Sequence, residues 1–169
     1  TVEKVCTEQR ELGKRVWPAN YNMDGQLVLA GIKADLESLV DVFKAAGAKR
    51  AIVLDMSVAS HCELLKRAVE NLKPYLEKFL KDEFMPVISN VSTQAYSSKA
   101  EAIELLSSQL TSPVKYKQSI KACEDKVDLF IEFGNGIVLK GLNKKITDKA
   151  TVNVSDMKTL EAVIGELND

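Results

Sequence analysis

Arg50-Ala51-Ile52-Val53-Leu54 reads as a strand, Ser57-Val58-Ala59-Ser60-His61-Cys62 as the loop after it, and residues 63–80 as the helix that follows. That order places an imidazole at the carboxyl end of a strand and the start of a helix, where open α/β folds build their sites. His61 is the only histidine in the chain. Histidine is the side chain whose ordinary pKa suits proton transfer near neutral pH. A helix N-terminus disfavours the protonated ring and keeps the imidazole available as a base. A lone histidine without context more often has a structural role; the strand-to-helix position favours the general base. No obvious nucleophile accompanies it. Cys62 is either a thiol nucleophile or, as is commoner, a small buried apolar residue.

The elements before this stretch follow from periodicity and turn chemistry. Residues 2–12 read as a helix with Thr1 as N-cap and Gly13 as stop. Residues 16–21 and 26–31 read as strands joined by Asn22-Met23-Asp24-Gly25, because Asp-Gly suits a hairpin. Residues 34–46 carry Leu36, Leu39, Val40 and Phe43 at i, i+3, i+4 and i+7, an amphipathic helix ended by Gly47. Residues 49–54 complete the order helix, strand, strand, helix, strand. A βαββαβ ferredoxin-like lobe has this order with one more strand in front. Loss of that strand would leave backbone groups unpaired and apolar surface exposed.

The elements after it alternate. Pro74 is expected to kink or split the helix at 63–80. Residues 85–91 read as a short buried strand, and 99–110 as a helix stopped before Pro113. Residues 115–123 form a helix and 128–133 a core strand. Gly134-Asn135-Gly136 turns into a helix over 137–145. It lacks the Lys-Ser/Thr of a P-loop and the spacing of a dinucleotide fingerprint, so it reads as a tight strand-to-helix turn. Residues 151–154 and 157–167 close the chain as strand and helix. The alternation predicts a parallel, helix-covered sheet.

Composition narrows the function classes. Of 169 residues, 23 are Lys or Arg and 24 Asp or Glu, a net charge of −1. A nucleic-acid binder carries a basic footprint that is absent here. No apolar run approaches the roughly 20 residues of a membrane span, and no signal-peptide pattern opens the chain. Cys6, Cys62 and Cys123 are odd in number and widely spaced. They suggest neither a metal cluster nor a disulfide framework, and point to a reducing cytoplasm. Lys49-Arg50, Lys66-Arg67 and Lys144-Lys145 are scattered basic pairs. Singly they are solvated surface charges; gathered on one face they would suit an acidic protein partner.

Taken together, the ordered segments resemble the malonyl-CoA:acyl carrier protein transacylase family of bacterial fatty-acid synthesis. The resemblance rests on Ala19-Asn20-Tyr21-Asn22 with Gly25-Gln26-Leu27-Val28-Leu29-Ala30-Gly31, on Ala46-Gly47-Ala48-Lys49-Arg50, and on Ser57-Val58-Ala59-Ser60-His61. It continues through Pro86-Val87-Ile88-Ser89-Asn90, Gln109-Leu110-Thr111-Ser112-Pro113-Val114 and Glu132-Phe133-Gly134-Asn135-Gly136-Ile137-Val138-Leu139. Asn135 departs from the proline usual in the family, which is expected to change turn stiffness and not chemistry. The resemblance implies an α/β fold. Residues 1–56 would form a ferredoxin-like small lobe lacking its first strand, and 57–169 the C-terminal part of an α/β-hydrolase-like large lobe.

It also implies a ping-pong mechanism. A serine attacks the malonyl thioester of coenzyme A, a histidine takes its proton, and the phosphopantetheine thiol of acyl carrier protein receives the malonyl group. His61 matches the catalytic histidine, and Gln109 the residue whose backbone carbonyl orients it. Val58, Ala59 and Ser60 would shape the acyl pocket, with Asn20 and Asn22 near its entrance. Lys49, Arg50, Lys144 and Lys145 match positions that dock the carrier protein. No metal and no cofactor are implied. The family's Gly-His-Ser-x-Gly elbow does not occur in the sequence. The chain is therefore expected to be the C-terminal portion of such an enzyme, with the N-terminal half of the same protein as its partner. Alone it should be inactive and of low stability. A polyketide-type acyltransferase with another extender unit and a non-catalytic carrier-binding module are the alternatives.

Overall fold

The computed structural model describes residues 1–168. Helix α1 (Val2–Glu11) leads into a hairpin of β1 (Val16–Met23) and β2 (Gln26–Gly31), and α2 (Lys33–Ala45) follows. The hairpin is antiparallel, with Met23 opposite Gln26 and Val16 opposite Gly31. Asp24-Gly25 therefore makes the turn, as the sequence predicts. The expected face of α2 is the buried one: Leu39 and Phe43 join Val5, Cys6 and Val16 in one core cluster. Burial of side chains of this size contributes roughly 1.5–3 kcal/mol each. A smaller cluster of Ala19, Ala30 and Cys62 lies on the hairpin, with Trp17, Ala59 and Leu64 packed around it.

The segment expected as a strand at 49–54 is not one. It runs without regular structure to Ser60. A strand needs a partner to pair with, and among the described residues none lies beside it. Ala48 and Ala51 pack onto the first core cluster, while Ile52 and Leu54 stay exposed. A short 3₁₀ turn (Glu63–Leu65) then enters α3 (Lys66–Phe79). Helix α3 continues through Pro74 and is not split there.

The next strand, β3 (Glu83–Ile88), pairs antiparallel with β4 (Ala95–Ser98), a hairpin partner the sequence reading missed. β3 is largely exposed, not buried as expected, with Met85 at 83%. Met85 and Val87 stay exposed, while Phe84 meets the buried Tyr96 ring edge-on at 6.0 Å. Ser98 caps α4 (Lys99–Gln109): the Glu101 amide donates to its hydroxyl, which donates in turn to the Glu101 carboxylate. Ser98 and Glu101 stand at the Ser-x-x-Glu spacing of a capping box, here with the serine hydroxyl bonded to both the amide and the carboxylate of Glu101.

Helix α5 (Tyr116–Cys123), strand β5 (Leu129–Phe133), helix α6 (Val138–Ile146), strand β6 (Ala150–Val154) and helix α7 (Met157–Asn168) complete the chain. β5 and β6 pair in parallel, with α6 as their crossover. The described strands thus form three two-stranded sheets, and only one is parallel. The α/β class holds, whereas a single helix-covered parallel sheet does not form within these residues. β5 is half exposed and not a core strand, with Phe133 at 72%. No helix among the described residues is long and apolar enough to cross a membrane.

Candidate active site

His61 occupies a backbone conformation that few non-glycine residues adopt, with φ at +59°. A Cβ in this left-handed region crowds the backbone, and such strain persists only where the surroundings impose it. The surroundings here are compact. Cys62 is 1% exposed and wedged against Ala19 and Ala30 of the hairpin. Its thiol donates to the Ala59 carbonyl at 3.4 Å, which closes the loop just before the histidine. Burial pushes the Cys62 thiol up from its usual range. The residue is a packing wedge and is poorly suited to act as a thiolate nucleophile.

The imidazole is half buried, and its Nδ1 lies 2.9 Å from the carbonyl oxygen of Gln109. A carbonyl oxygen only accepts, so Nδ1 carries the proton and donates. In the neutral ring Nε2 then holds the free lone pair, the tautomer a general base needs. Gln109 ends α4, where the last carbonyls have no partner in their own helix. His61 takes one of them. The ring thus meets the carbonyl end of α4, while its backbone directly precedes the 3₁₀ turn that enters α3.

The segment after α4 is tied to the hairpin. The Val114 amide donates to the Ala19 carbonyl, and the Tyr21 amide to the Val114 carbonyl, each at 2.8 Å. Asn20 lies between them and forms a bridge with Val114. β1 therefore supports both halves of the pair: His61 through Cys62, and Gln109 through Val114.

The other expected site residues fall into separate places. Ala59 packs beneath the site, while Val58 and Ser60 are exposed beside it. Asn20 and Asn22 are half buried on β1, and among the described residues no side-chain hydrogen bond joins them to His61. Lys49 and Arg50 are exposed after α2, and Lys144 and Lys145 are exposed in the last turn of α6. No group of three metal-ligating side chains occurs among the described residues.

Sequence reasoning missed two residues that shape the Gly134-Asn135-Gly136 turn. The Asn153 side-chain amide donates to the carbonyls of Glu132, Gly134 and Gly136, at 3.1, 3.2 and 2.8 Å. Glu132 accepts from the amides of Leu139 and Lys140, both at 2.9 Å, and so caps α6. Gly134 and Gly136 both have positive φ, so only an external clamp fixes the turn they form. A glutamate before a glycine-rich turn into a helix was the available signal for the cap. Asn153, 17–21 residues away in sequence, had none.

Known proteins are similar to this chain over nearly its whole length. The chain is 42% identical over 171 residues to a malonyl CoA-acyl carrier protein transacylase of Bacillus subtilis (strain 168), covering 99% of this chain and 54% of that protein. It is a relative of the malonyl CoA-acyl carrier protein transacylases. The transacylase of Haemophilus influenzae is 39% identical over 159 residues, 92% of this chain and 51% of that protein. The solved malonyl-CoA:acyl carrier protein transacylase of Helicobacter pylori superposes with a TM-score of 0.92 at 46% identity, over 99% of this chain and 53% of that one. A malonyl-transacylase solved in complex with its type II PKS acyl-carrier protein matches with a TM-score of 0.90 at 35% identity, over 98% of this chain and 54% of that one. The chain spans about half the length of the curated transacylases it matches. No family model matches it.

Proposed function

We propose that this chain supplies the general base of a malonyl-CoA:acyl carrier protein transacylase, the nucleophilic serine lying in the half of the relatives that the chain does not match. One observation carries the reading: the Nδ1–H of His61 is committed to the Gln109 carbonyl at 2.9 Å, which leaves Nε2 for the reaction. Nε2 takes the serine proton as the serine oxygen attacks the malonyl thioester carbon. The carbon–sulfur bond breaks, and the imidazolium returns the proton to the departing coenzyme A thiolate. In the second half-reaction Nε2 takes the proton of the carrier's phosphopantetheine thiol, whose sulfur attacks the acyl carbon; the carbon–oxygen bond to serine breaks, and the imidazolium returns the proton to the serine oxygen. Throughout, Gln109 holds the ring in one tautomer. Val58, Ala59 and Ser60 line the acyl side, with Asn20 and Asn22 at the entrance. Lys49, Arg50, Lys144 and Lys145 face the acidic carrier.

The finer architecture belongs to the same proposal. Residues 1–56 form an incomplete ferredoxin-like lobe, and 57–169 the C-terminal part of an α/β-hydrolase-like lobe. The exposed apolar side chains of Ile52, Leu54, Met85 and Phe133 support a partner half that covers them. The enzyme would work in the cytoplasm without a cofactor.

The test is malonyl transfer by the whole transacylase polypeptide. His61→Ala is expected to slow it by roughly 10²–10⁴-fold, the usual contribution of a positioned base. Retention of transfer within a few-fold of wild type would end the proposal.

A further inference from the structure

We infer that Thr111 and Pro113 are positioning residues for the general base, because together they reserve the Gln109 carbonyl for His61; the inference rests on the transacylase reading above. In a continuing helix the Gln109 carbonyl would accept from the amide four residues on. That residue is Pro113, which has no N–H. Covalent chemistry therefore denies this carbonyl its helical donor. Proline also disfavours helical backbone at the residue before it, here Ser112, so the chain must leave α4 just beyond Gln109. Among the described residues the Nδ1–H of His61, at 2.9 Å, is the only donor to that oxygen.

The two carbonyls before it are filled from within the turn. The Leu110 amide donates to the Ser107 carbonyl at 3.4 Å, and the Thr111 amide to the Ser108 carbonyl at 3.1 Å. The Thr111 hydroxyl donates to the Ser108 carbonyl as well, at 3.3 Å. The hydroxyls of Ser108 and Ser112 share a hydrogen bond at 3.2 Å. Thr111 is thereby folded back onto α4, and the carbonyl beside the one that His61 uses is doubly occupied. The far side of the exit is held too. The Lys115 amide donates to the Asn90 carbonyl at 2.9 Å, and Val114 is bonded to β1 on both its amide and its carbonyl. Residues 110–113 thus run between two fixed ends. A Gln109 carbonyl that moved or took another donor would weaken its bond to the ring steeply, and nothing else would keep the proton on Nδ1.

The experiment reads the His61 tautomer and malonyl transfer in the whole transacylase polypeptide. Imidazole nitrogen-15 shifts, assigned to His61 by their loss in His61→Ala, tell a protonated from an unprotonated nitrogen. The wild-type ring should show Nδ1 protonated and Nε2 bare. Pro113→Ala restores an amide that competes for the Gln109 carbonyl, and Thr111→Val removes the hydroxyl at nearly constant shape. Each should bring an Nε2–H signal into the spectrum and lower kcat about three- to tenfold with KM nearly unchanged, a part of the roughly 10²–10⁴-fold owed to a positioned base. Thr111→Ser keeps the hydroxyl and should restore both the tautomer and kcat. Variants that lose stability but keep the wild-type tautomer, or whose kcat stays within about twofold of wild type, would overturn the inference. If the wild-type protein transfers malonyl and the variants behave in that way, the positioning inference alone fails. If the wild-type protein transfers no malonyl, the transacylase reading fails, and the role of Thr111 and Pro113 in catalysis fails with it.

Discussion

Replacing His61 separates its chemistry from its strain. The residue has φ at +59°, a left-handed conformation that costs an L-residue roughly 1–2 kcal/mol. It also donates a hydrogen bond to Gln109, worth about 1 kcal/mol net. His61→Ala loses the bond and keeps the strain. His61→Gly loses the bond, relieves the strain, and concedes roughly 0.5–1 kcal/mol because glycine is freer in the unfolded chain. The difference leaves the glycine variant more stable than the alanine variant by ~1 kcal/mol or somewhat less. Both lack the base, so both should lose malonyl transfer alike. Asparagine, which tolerates the left-handed region, is expected between them in stability. Urea unfolding of the variants, followed by circular dichroism, gives the comparison directly. An alanine variant as stable as the glycine variant would refute the claim that the fold holds strain at this histidine.

Three further perturbations follow from single contacts. Gly31→Ala would set a Cβ 2.2 Å from the Arg15 carbonyl oxygen; a loss of about 2–4 kcal/mol in denaturant unfolding is expected, because backbone and not a side chain must yield. Asn153→Ala removes the donor to three carbonyls around the Gly134-Asn135-Gly136 turn; it should cost about 1–3 kcal/mol and speed hydrogen exchange at the Leu139 and Lys140 amides, and unchanged exchange would contradict the clamp. Burial pushes the Cys6 thiol up to about 11 from 9.0; the folded state holds that proton more tightly, so stability is full below pH 9.0 and falls as pH rises towards about 11. The loss is on the order of 2 kcal/mol, and a Cys6→Ala variant should lack that part of the alkaline decline.

Local signals carried most of the element assignments. Asp24-Gly25 fixed the hairpin, and the spacing of Leu36, Leu39, Val40 and Phe43 gave α2 its buried face. These features depend on neighbours a few residues away. The errors arose where pairing over a distance decides the outcome. Residues 49–54 have strand composition but no neighbour to pair with among the described residues. The mirror case is β4, whose four residues, Ala-Tyr-Ser-Ser, are too short to show a period yet pair with β3. Burial was overestimated for β3 and β5 for the same reason: apolar composition marks what a face prefers, not what covers it. At the site, the resemblance supplied the pairing of His61 with Gln109, whereas the strain at His61, the wedge formed by Cys62 and the clamp formed by Asn153 are visible only in three dimensions.

The geometry of β1 explains why an oriented histidine can survive movement in the rest of the molecule. The ring has two restraints. One is its own backbone, held by Cys62 against Ala19 and Ala30. The other is the Gln109 carbonyl, whose segment returns to the same strand through Val114 and the Ala19 carbonyl. Both restraints end on Ala19, although His61 and Gln109 are 48 residues apart in sequence. A tilt of the hairpin therefore carries base and orienting carbonyl together. Their separation changes little, while a hydrogen bond anchored on two independent elements would stretch by the whole displacement and weaken steeply. The tautomer is preserved: Nδ1 keeps its proton on the Gln109 carbonyl, and Nε2 keeps its free lone pair.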